Sequence, residues 1–299
     1  MNFGRFLSIH PAFSGCLLVF AFLAQPAFAN SNYFLEKQIS RSLAQTEKKE
    51  NILWLKTTEK PPILALLAPA NTLEKQGGVI ILADLFQSPD WPIIIHGLRT
   101  KLPDYGWETL SIQLPIPVYD ISNAELNSTY ELTRQRINSA IDYFKTNNIS
   151  NIVLIGVGQS ANFALKYVAT LPVKDPKIQA IVSIKAYDSR WLTSSELVKK
   201  ISIPLFDIIP EHDADIVLNS AKKRLIAANF AGKLKTNPRM LALSSKVQTL
   251  AINKTGNLRY RQKVINGANY HFDEQEYTLI KAIRGWLGVY ASGKQIEIE

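Results

Sequence analysis

The sequence predicts an α/β fold built on a mostly parallel β-sheet that helices cover on both faces. Short, continuously apolar and β-branched runs recur along the chain, which is typical of strands buried on both faces. Amphipathic stretches with apolar residues three and four positions apart lie between these runs. The chain has 299 residues, of which 46% are hydrophobic, and this is enough to bury a large core.

The first residues are predicted to lie outside this fold. Arg5 supplies a positive charge, residues 12–24 are mostly apolar, and Ala27-Phe28-Ala29 has the small-x-small pattern that signal peptidase cleaves. We therefore expect a signal peptide over residues 1–29, cleavage after Ala29, and a mature bacterial chain that is periplasmic or secreted. The only cysteine, Cys16, falls inside this segment, so no disulfide is expected in the mature protein.

Residues 30–299 are predicted to form a single domain, because no internal repeat and no Pro/Gly/Ser linker divides them. Its first part, residues 30–50, is expected to be an N-terminal helical extension. Leu35, Ile39 and Leu43 recur every four residues there, which predicts that this apolar face packs on the outside of the domain.

Eight strands are expected after this helix, beginning with an early strand pair. Continuous apolar runs predict the buried strands, and Pro115 ends one of them. The predicted strands span residues 51–57, 62–69, 77–83, 108–114, 152–157, 178–184, 203–209 and 260–265. Helical spacing predicts helices at residues 92–102, 130–145, 161–171 and 273–289.

Charge and composition exclude several functional classes. The formal net charge is +9, but the basic groups are small and separated, so no nucleic-acid surface is expected. The charge favours solubility and attraction to anionic envelope surfaces. No histidine or cysteine spacing predicts a metal site, and Gly156-Val157-Gly158 lacks the third glycine of a dinucleotide fingerprint. Neither a metal nor a cofactor is expected, nor a transmembrane span in the mature chain.

Chemistry-bearing residues follow three of the predicted strands, where ligands collect in open parallel sheets. The strand at 152–157 passes through Gly158 and Gln159 into a helix, which is the setting of a nucleophile elbow. Asp213 follows the strand at 203–209, and His271 follows the last strand. The chain order of elbow, acid and histidine is the one that α/β hydrolases use.

Several motifs support the same assignment. They are GGVIILADLF at 77–86, PDWP at 89–92, LP at 102–103, GWETLSIQLP at 106–115, LIGVG at 154–158 and GANYH at 267–271. With these motifs the chain resembles the α/β-hydrolase superfamily over essentially all of its mature length. More narrowly, it resembles an exported bacterial family of unknown function with that fold.

The elbow allows two registers. If Gly156 is the leading glycine, the nucleophile position is Gly158, which has no nucleophilic atom, and small residues flank it as the turn requires. In the competing register Ser160 is the nucleophile, with Gly158 before it and the bulkier Asn162 after it. In a third interpretation Ser160 only caps the helix, a position that serine favours.

The remaining roles are what the resemblance implies. His271 would act as general base, and Asp213 would orient its imidazole, with Asp215 or Asp207 as substitutes. The oxyanion hole would consist of the backbone N–H of Leu85 and that of Gln159 or Ala161, depending on register. Asp84, where many relatives carry His-Gly, is interpreted as a solvated loop acid or as a contact for a polar ligand.

Two functions follow from these observations. The leading hypothesis is an exported α/β-hydrolase-fold protein whose elbow lacks the usual nucleophile and which has a binding or envelope role, or an atypical hydrolase mechanism. The alternative is a serine ester or acyl hydrolase that uses Ser160, His271 and Asp213. Both predict a small-molecule, acyl or ester ligand, and no motif indicates an oligomeric state.

Overall fold

The computed structural model describes residues 1, 32–58, 61–118, 122–172, 177–231 and 260–293. In these ranges the strands are β1 Ile52–Leu55, β2 Ile63–Ala68, β3 Gly77–Leu82, β4 Trp107–Ile112, β5 Ile152–Val157, β6 Ala180–Ile184, β7 Leu205–His212 and β8 Tyr260–Asn269. The α-helices are α1 Tyr33–Thr46, α2 Ile94–Lys101, α3 Asn123–Thr146, α4 Gln159–Ala169, α5 Ser194–Val198, α6 Asp215–Ala231 and α7 Glu276–Tyr290.

The eight strands form one sheet in the order β1-β2-β4-β3-β5-β6-β7-β8. β2 is antiparallel to both of its neighbours, and the pairs from β4 to β8 are all parallel. The predicted α/β fold with a mostly parallel sheet is therefore confirmed. The carboxyl ends of β3, β5, β6, β7 and β8 meet at one edge, where catalytic and binding groups are expected.

The core lies on both faces of the sheet because side chains alternate along each strand. Ile80 and Leu154 face a core cluster that also contains residues of α3 and α4. Val79 and Val153 face the opposite way, into a cluster that contains residues of α2 and α7. Each fully buried aliphatic side chain contributes roughly 1.5–3 kcal/mol to folding, so the central strands are the most strongly held elements.

α3 begins earlier than the sequence spacing predicted. It starts at Asn123 rather than at Tyr130, because the Ser122 hydroxyl accepts a hydrogen bond of 3.2 Å from the Glu125 backbone N–H. The Ser122-x-x-Glu125 pattern is that of a capping box, a local signal that the apolar spacing alone did not register.

The predicted orientation of α1 is wrong. The helix buries Glu36 and Ser40, whereas Leu35 is exposed and the other predicted apolar positions are only half-buried. The physical reason is an ion pair of 2.9 Å between Glu36 Oε2 and Arg136 Nη2, in which both side chains are almost fully buried. Because a buried charge requires a partner, Arg136 of α3 determines which face of α1 turns inward.

The predicted signal peptide lies outside the described residues apart from Met1, and the single-domain organisation of residues 30–299 stays a prediction. Among the helices that the structure describes, none combines the length and the apolar character needed to cross a bilayer.

Candidate active site

A tight turn joins β5 to α4 at the carboxyl edge of the sheet. Gly158 lies at its apex with φ +60° and ψ −125°, a left-handed conformation that favours glycine, and α4 begins at the next residue. Gly156 lets the strand and helix approach, because a Cβ there would lie 2.7 Å from the Ala161 Cα. The turn therefore follows the register in which position 158 is the apex.

Ser160 lies inside α4 rather than at the apex. It is fully buried, and its Oγ has no hydrogen-bond partner in the part of the chain that the structure describes. Gly158, which has no side chain, occupies the N-cap position of α4, so the interpretation of Ser160 as a helix cap is wrong.

The structure does not bring the three proposed triad residues into hydrogen-bonded contact. His271 is exposed, its backbone N–H donates to Asn269 Oδ1 at 3.0 Å, and its ring meets the Tyr270 ring edge-on. Asp213 Oδ1 accepts from the Ala214 backbone N–H at 2.7 Å, while Asp213 Oδ2 has no partner among the described residues. Neither carboxylate oxygen orients the imidazole.

The two substitute acids have other positions. Asp207 lies within β7, fully buried, and forms a two-point ion pair with Arg224 at 2.8 and 3.1 Å. The Tyr260 hydroxyl also donates to this carboxylate at 2.7 Å, so Asp207 is a core residue and not a free orienting acid. Asp215 is exposed in the first turn of α6.

The two backbone amides of the expected oxyanion hole converge on one acceptor, and that acceptor is Asp84. Its Oδ1 accepts from the Leu85 N–H at 2.9 Å and from the Gln159 N–H at 2.8 Å. The carboxylate lies directly over the apex, since a Cβ at Gly158 would be 2.0 Å from Asp84 Oδ2. Asp84 is only 8% exposed, so its interpretation as a solvated loop acid is wrong.

Two further residues complete the surroundings of this carboxylate. Lys185 follows β6, is 2% exposed, and places its Nζ 3.9 Å from Asp84 Oδ2. The Tyr270 hydroxyl donates to the same oxygen at 3.4 Å, and Lys185 Nζ lies 3.2 Å from the centroid of the Tyr270 ring. A buried carboxylate and a buried ammonium thus meet the phenol of the more exposed Tyr270 above the elbow.

Burial has the largest effect on the pKa values of Asp84, Lys185 and Tyr270. Desolvation raises the pKa of Asp84, although Lys185 and the two amide hydrogen bonds oppose the shift. Desolvation likewise lowers the pKa of Lys185, against the pull of Asp84 and Asp213. It also raises the pKa of Tyr270 to about 12, so the phenol keeps its proton and remains a donor at neutral pH.

Unpaired polar atoms surround the same strand ends. Gln159 Nε2 and Asn162 Oδ1, both in α4, are buried without hydrogen-bond partners within the described ranges. Buried polar groups are normally satisfied, so such atoms mark a place where a ligand or water would bind. No cluster of three or more metal-ligating side chains was found in the described residues.

Sequence reasoning missed Lys185 and Tyr270. Both directly follow strands that end at the elbow edge, and that position was the available signal. Lys185 also adopts φ +47°, which is uncommon for a residue other than glycine and which sequence does not reveal.

The chain matches a protein family of unknown function. The profile of the family described as "Protein of unknown function (DUF3530)" matches residues 24–124 and 119–233. No curated protein matches the chain.

Several solved structures have a similar fold at low sequence identity. Est1E from Butyrivibrio proteoclasticus is 12% identical with a TM-score of 0.56, over 79% of this chain and 97% of that one. A putative dienelactone hydrolase from Klebsiella pneumoniae is 14% identical with a TM-score of 0.58, over 80% and 98%. The esterase Pf2001 from Pyrococcus furiosus is 11% identical with a TM-score of 0.58, over 81% and 92%. The chain thus has the α/β-hydrolase fold, and it belongs to the DUF3530 family.

Proposed function

We propose that this protein binds a small acyl or ester ligand at the elbow edge without cleaving it by acyl-serine chemistry. The observation that carries the proposal is the position of Asp84, whose carboxylate accepts from the Leu85 and Gln159 amides above Gly158. Esterases and dienelactone hydrolases among the solved structures with this fold support the class of ligand.

Acyl transfer on this fold requires two groups at the elbow. A nucleophile at the apex attacks the carbonyl carbon, and two backbone amides stabilise the oxygen that becomes negative. In this chain the apex is Gly158, which has no side chain, and both amides already bind the Asp84 carboxylate. A carboxylate in the hole would also repel a developing oxyanion, so the site opposes the transition state it would have to stabilise.

The site is nevertheless equipped for binding. Lys185 provides a buried positive charge, Tyr270 provides a phenol donor, and Asp213 Oδ2 is an unused acceptor. Phe86 is exposed beside the oxyanion amides with φ +68°, and strained backbone of this kind concentrates at functional sites. A small ligand with a polar group and an apolar body fits this combination.

The proposed setting is the bacterial envelope. The signal-peptide pattern ending at Ala29 supports export. A binding or envelope role needs no cofactor, and the composition of the mature chain is consistent with an oxidising compartment.

The serine-hydrolase alternative has weaker support. Its nucleophile, Ser160, is fully buried in α4, and its base, His271, is exposed with no hydrogen bond to Ser160 among the described residues.

A paired labelling and binding experiment tests the proposal. We expect a fluorophosphonate to give no covalent mass gain on the chain from Asn30, and Ser160→Ala to behave identically. Phenyl acetate should raise the thermal unfolding midpoint without release of phenol, and Tyr270→Phe should reduce that rise. A stoichiometric adduct that Ser160→Ala abolishes would establish the alternative, and the absence of any midpoint change would contradict the proposed ligand class.

A further inference from the structure

A second pocket opens beneath α1, apart from the elbow. It has a volume of about 260 Å³, and its lining includes residues of α1, β1, β2 and α3. In the order of the sheet, β4 and β3 separate β2 from β5, which carries the elbow. The pocket is therefore a distinct site on the same sheet.

The floor of this pocket carries charges that neutralise each other. Arg136 and Glu36 form the buried ion pair of 2.9 Å, and Arg136 Nη1 also donates to the Gln113 carbonyl at 3.0 Å. Glu36 Oε1 accepts from the Ile116 backbone N–H at 3.1 Å. The floor consequently offers no net charge to a ligand, and it fixes α1 over the cavity.

The walls and the rim differ in character. Trp54 and Tyr33 contribute large aromatic surfaces, 51% and 45% exposed, and Pro62 adds a rigid apolar wall. Lys37 and Arg41 lie on α1 at the same pocket, both exposed, and neither forms an ion pair with any described residue. The pocket therefore combines an apolar concave surface with two cations that no described side chain pairs, and exposed apolar surfaces of this kind commonly mark ligand-binding sites.

We propose that this pocket binds a small monoanion with an apolar body, of the class of a medium-chain carboxylate. The hydrocarbon would lie against Trp54, Tyr33 and Pro62, and the carboxylate would pair with Lys37 and Arg41. The planar guanidinium of Arg41 is able to bind a carboxylate through two parallel hydrogen bonds. The volume lies below the range of about 300–1,000 Å³ that holds drug-sized ligands, so the ligand is a smaller molecule.

Calorimetric titration of the chain from Asn30 with octanoate, beside 1-octanol as an uncharged analogue, tests this proposal. We expect octanoate to bind about 4- to 25-fold more tightly, since each of the two exposed charge contacts contributes about 2- to 5-fold. Arg41→Ser and Lys37→Ser should each weaken octanoate binding about 2- to 5-fold and leave octanol binding unchanged. Octanoate binding should also change the tryptophan fluorescence of the protein, and Trp54→Leu should remove most of that change.

Matched controls separate this site from its alternatives. Lys281→Ser, which removes an exposed cation on α7, should leave octanoate binding unchanged. Equal affinities for octanoate and octanol would overturn the proposal, as would binding that depends on Lys185 and not on Arg41. Phe34 is exposed on the same helix as Arg41. Association with phosphatidylglycerol vesicles that Phe34→Ser abolishes, without octanoate binding, would also overturn the proposal and would assign this face to a membrane surface. None of these outcomes depends on the elbow ligand.

Discussion

At the turn between β5 and α4, the side chain of Asp84 takes the space that any side chain at position 158 would need. The contact is between residues far apart in the chain, and both backbone amides next to the turn bind the same carboxylate oxygen. Gly158 and Asp84 are therefore a matched pair, because position 158 has no room for a side chain while Asp84 is in place.

Gly158→Ser should destabilise the protein, and the size of this loss of stability should depend on Asp84. The new Cβ would lie 2.0 Å from Asp84 Oδ2 at φ +60°, so we expect a loss of about 2–4 kcal/mol in the free energy of unfolding. Asp84→Ala removes the clashing atoms, and in that background the loss should be smaller by about 1–3 kcal/mol. Urea unfolding of the four proteins measures this coupling, and equal losses in both backgrounds would contradict the contact.

Lys185→Met should make stability depend on pH in a predictable direction. Without the ammonium, the pKa of Asp84 rises further above its ordinary value of 3.8, because only Lys185 counters burial by charge. A carboxyl whose folded pKa is raised binds protons more tightly in the folded state, so stability falls as pH rises through the interval between the two pKa values. We expect a loss of about 3–5 kcal/mol at pH 7, recovered in part at pH 5.

The double variant Asp84→Asn with Lys185→Met is the control for this effect. It removes both charges, so its stability relative to the natural protein should change little between pH 5 and pH 7. Urea unfolding at the two pH values provides the comparison. A loss in Lys185→Met that is independent of pH would show that lost packing, and not the charge, is responsible.

At the scale of elements, the approach of α4 to β5 depends on a missing side chain. Gly156→Ala would place a Cβ 2.7 Å from both the Ser160 carbonyl oxygen and the Ala161 Cα, which are backbone atoms that cannot rotate away. We expect a loss of about 1–3 kcal/mol in unfolding free energy. Gly285→Ala in α7 is the matched control, because no described atom beyond its own turn of helix lies within 4 Å of its Cβ position.

The control should change stability in the opposite direction. Alanine is about 1 kcal/mol more favourable than glycine in a helix interior, so Gly285→Ala should stabilise the protein by up to that amount. Thermal unfolding of both variants measures the contrast. Similar effects from the two substitutions would show that the close packing at Gly156 does not limit stability.

Elements were predicted well wherever a local pattern specified them. The apolar runs located the buried strands β2 to β7, because a strand buried on both faces must be largely apolar. α1 was oriented wrongly because its buried face is polar, and only the position of Arg136 on α3 makes a buried Glu36 favourable. An ion pair between two helices produces no periodic pattern in the sequence of either helix.

At the scale of the whole molecule, the proposed envelope setting leads to a prediction about processing. Expressed with residues 1–29 in a Gram-negative host, the protein should appear in the periplasmic fraction with Asn30 as its first residue. Ala29→Arg should block cleavage, because signal peptidase requires a small residue there. Intact mass spectrometry of the fractions provides the measurement, and an unprocessed cytosolic chain would contradict export.

The sequence by itself determined the order of the strands and of most helices, and it located the elbow turn while leaving its register open, because periodicity and small residues specify these features locally. It also offered the amides of Leu85 and of either Gln159 or Ala161 beside the turn, since strand ends meet at one edge of a parallel sheet. Only the tertiary structure decided what those amides bind. Asp84 meets the Gln159 amide across 75 residues and the Tyr270 hydroxyl across 186, and such contacts depend on how separate strands and loops pack.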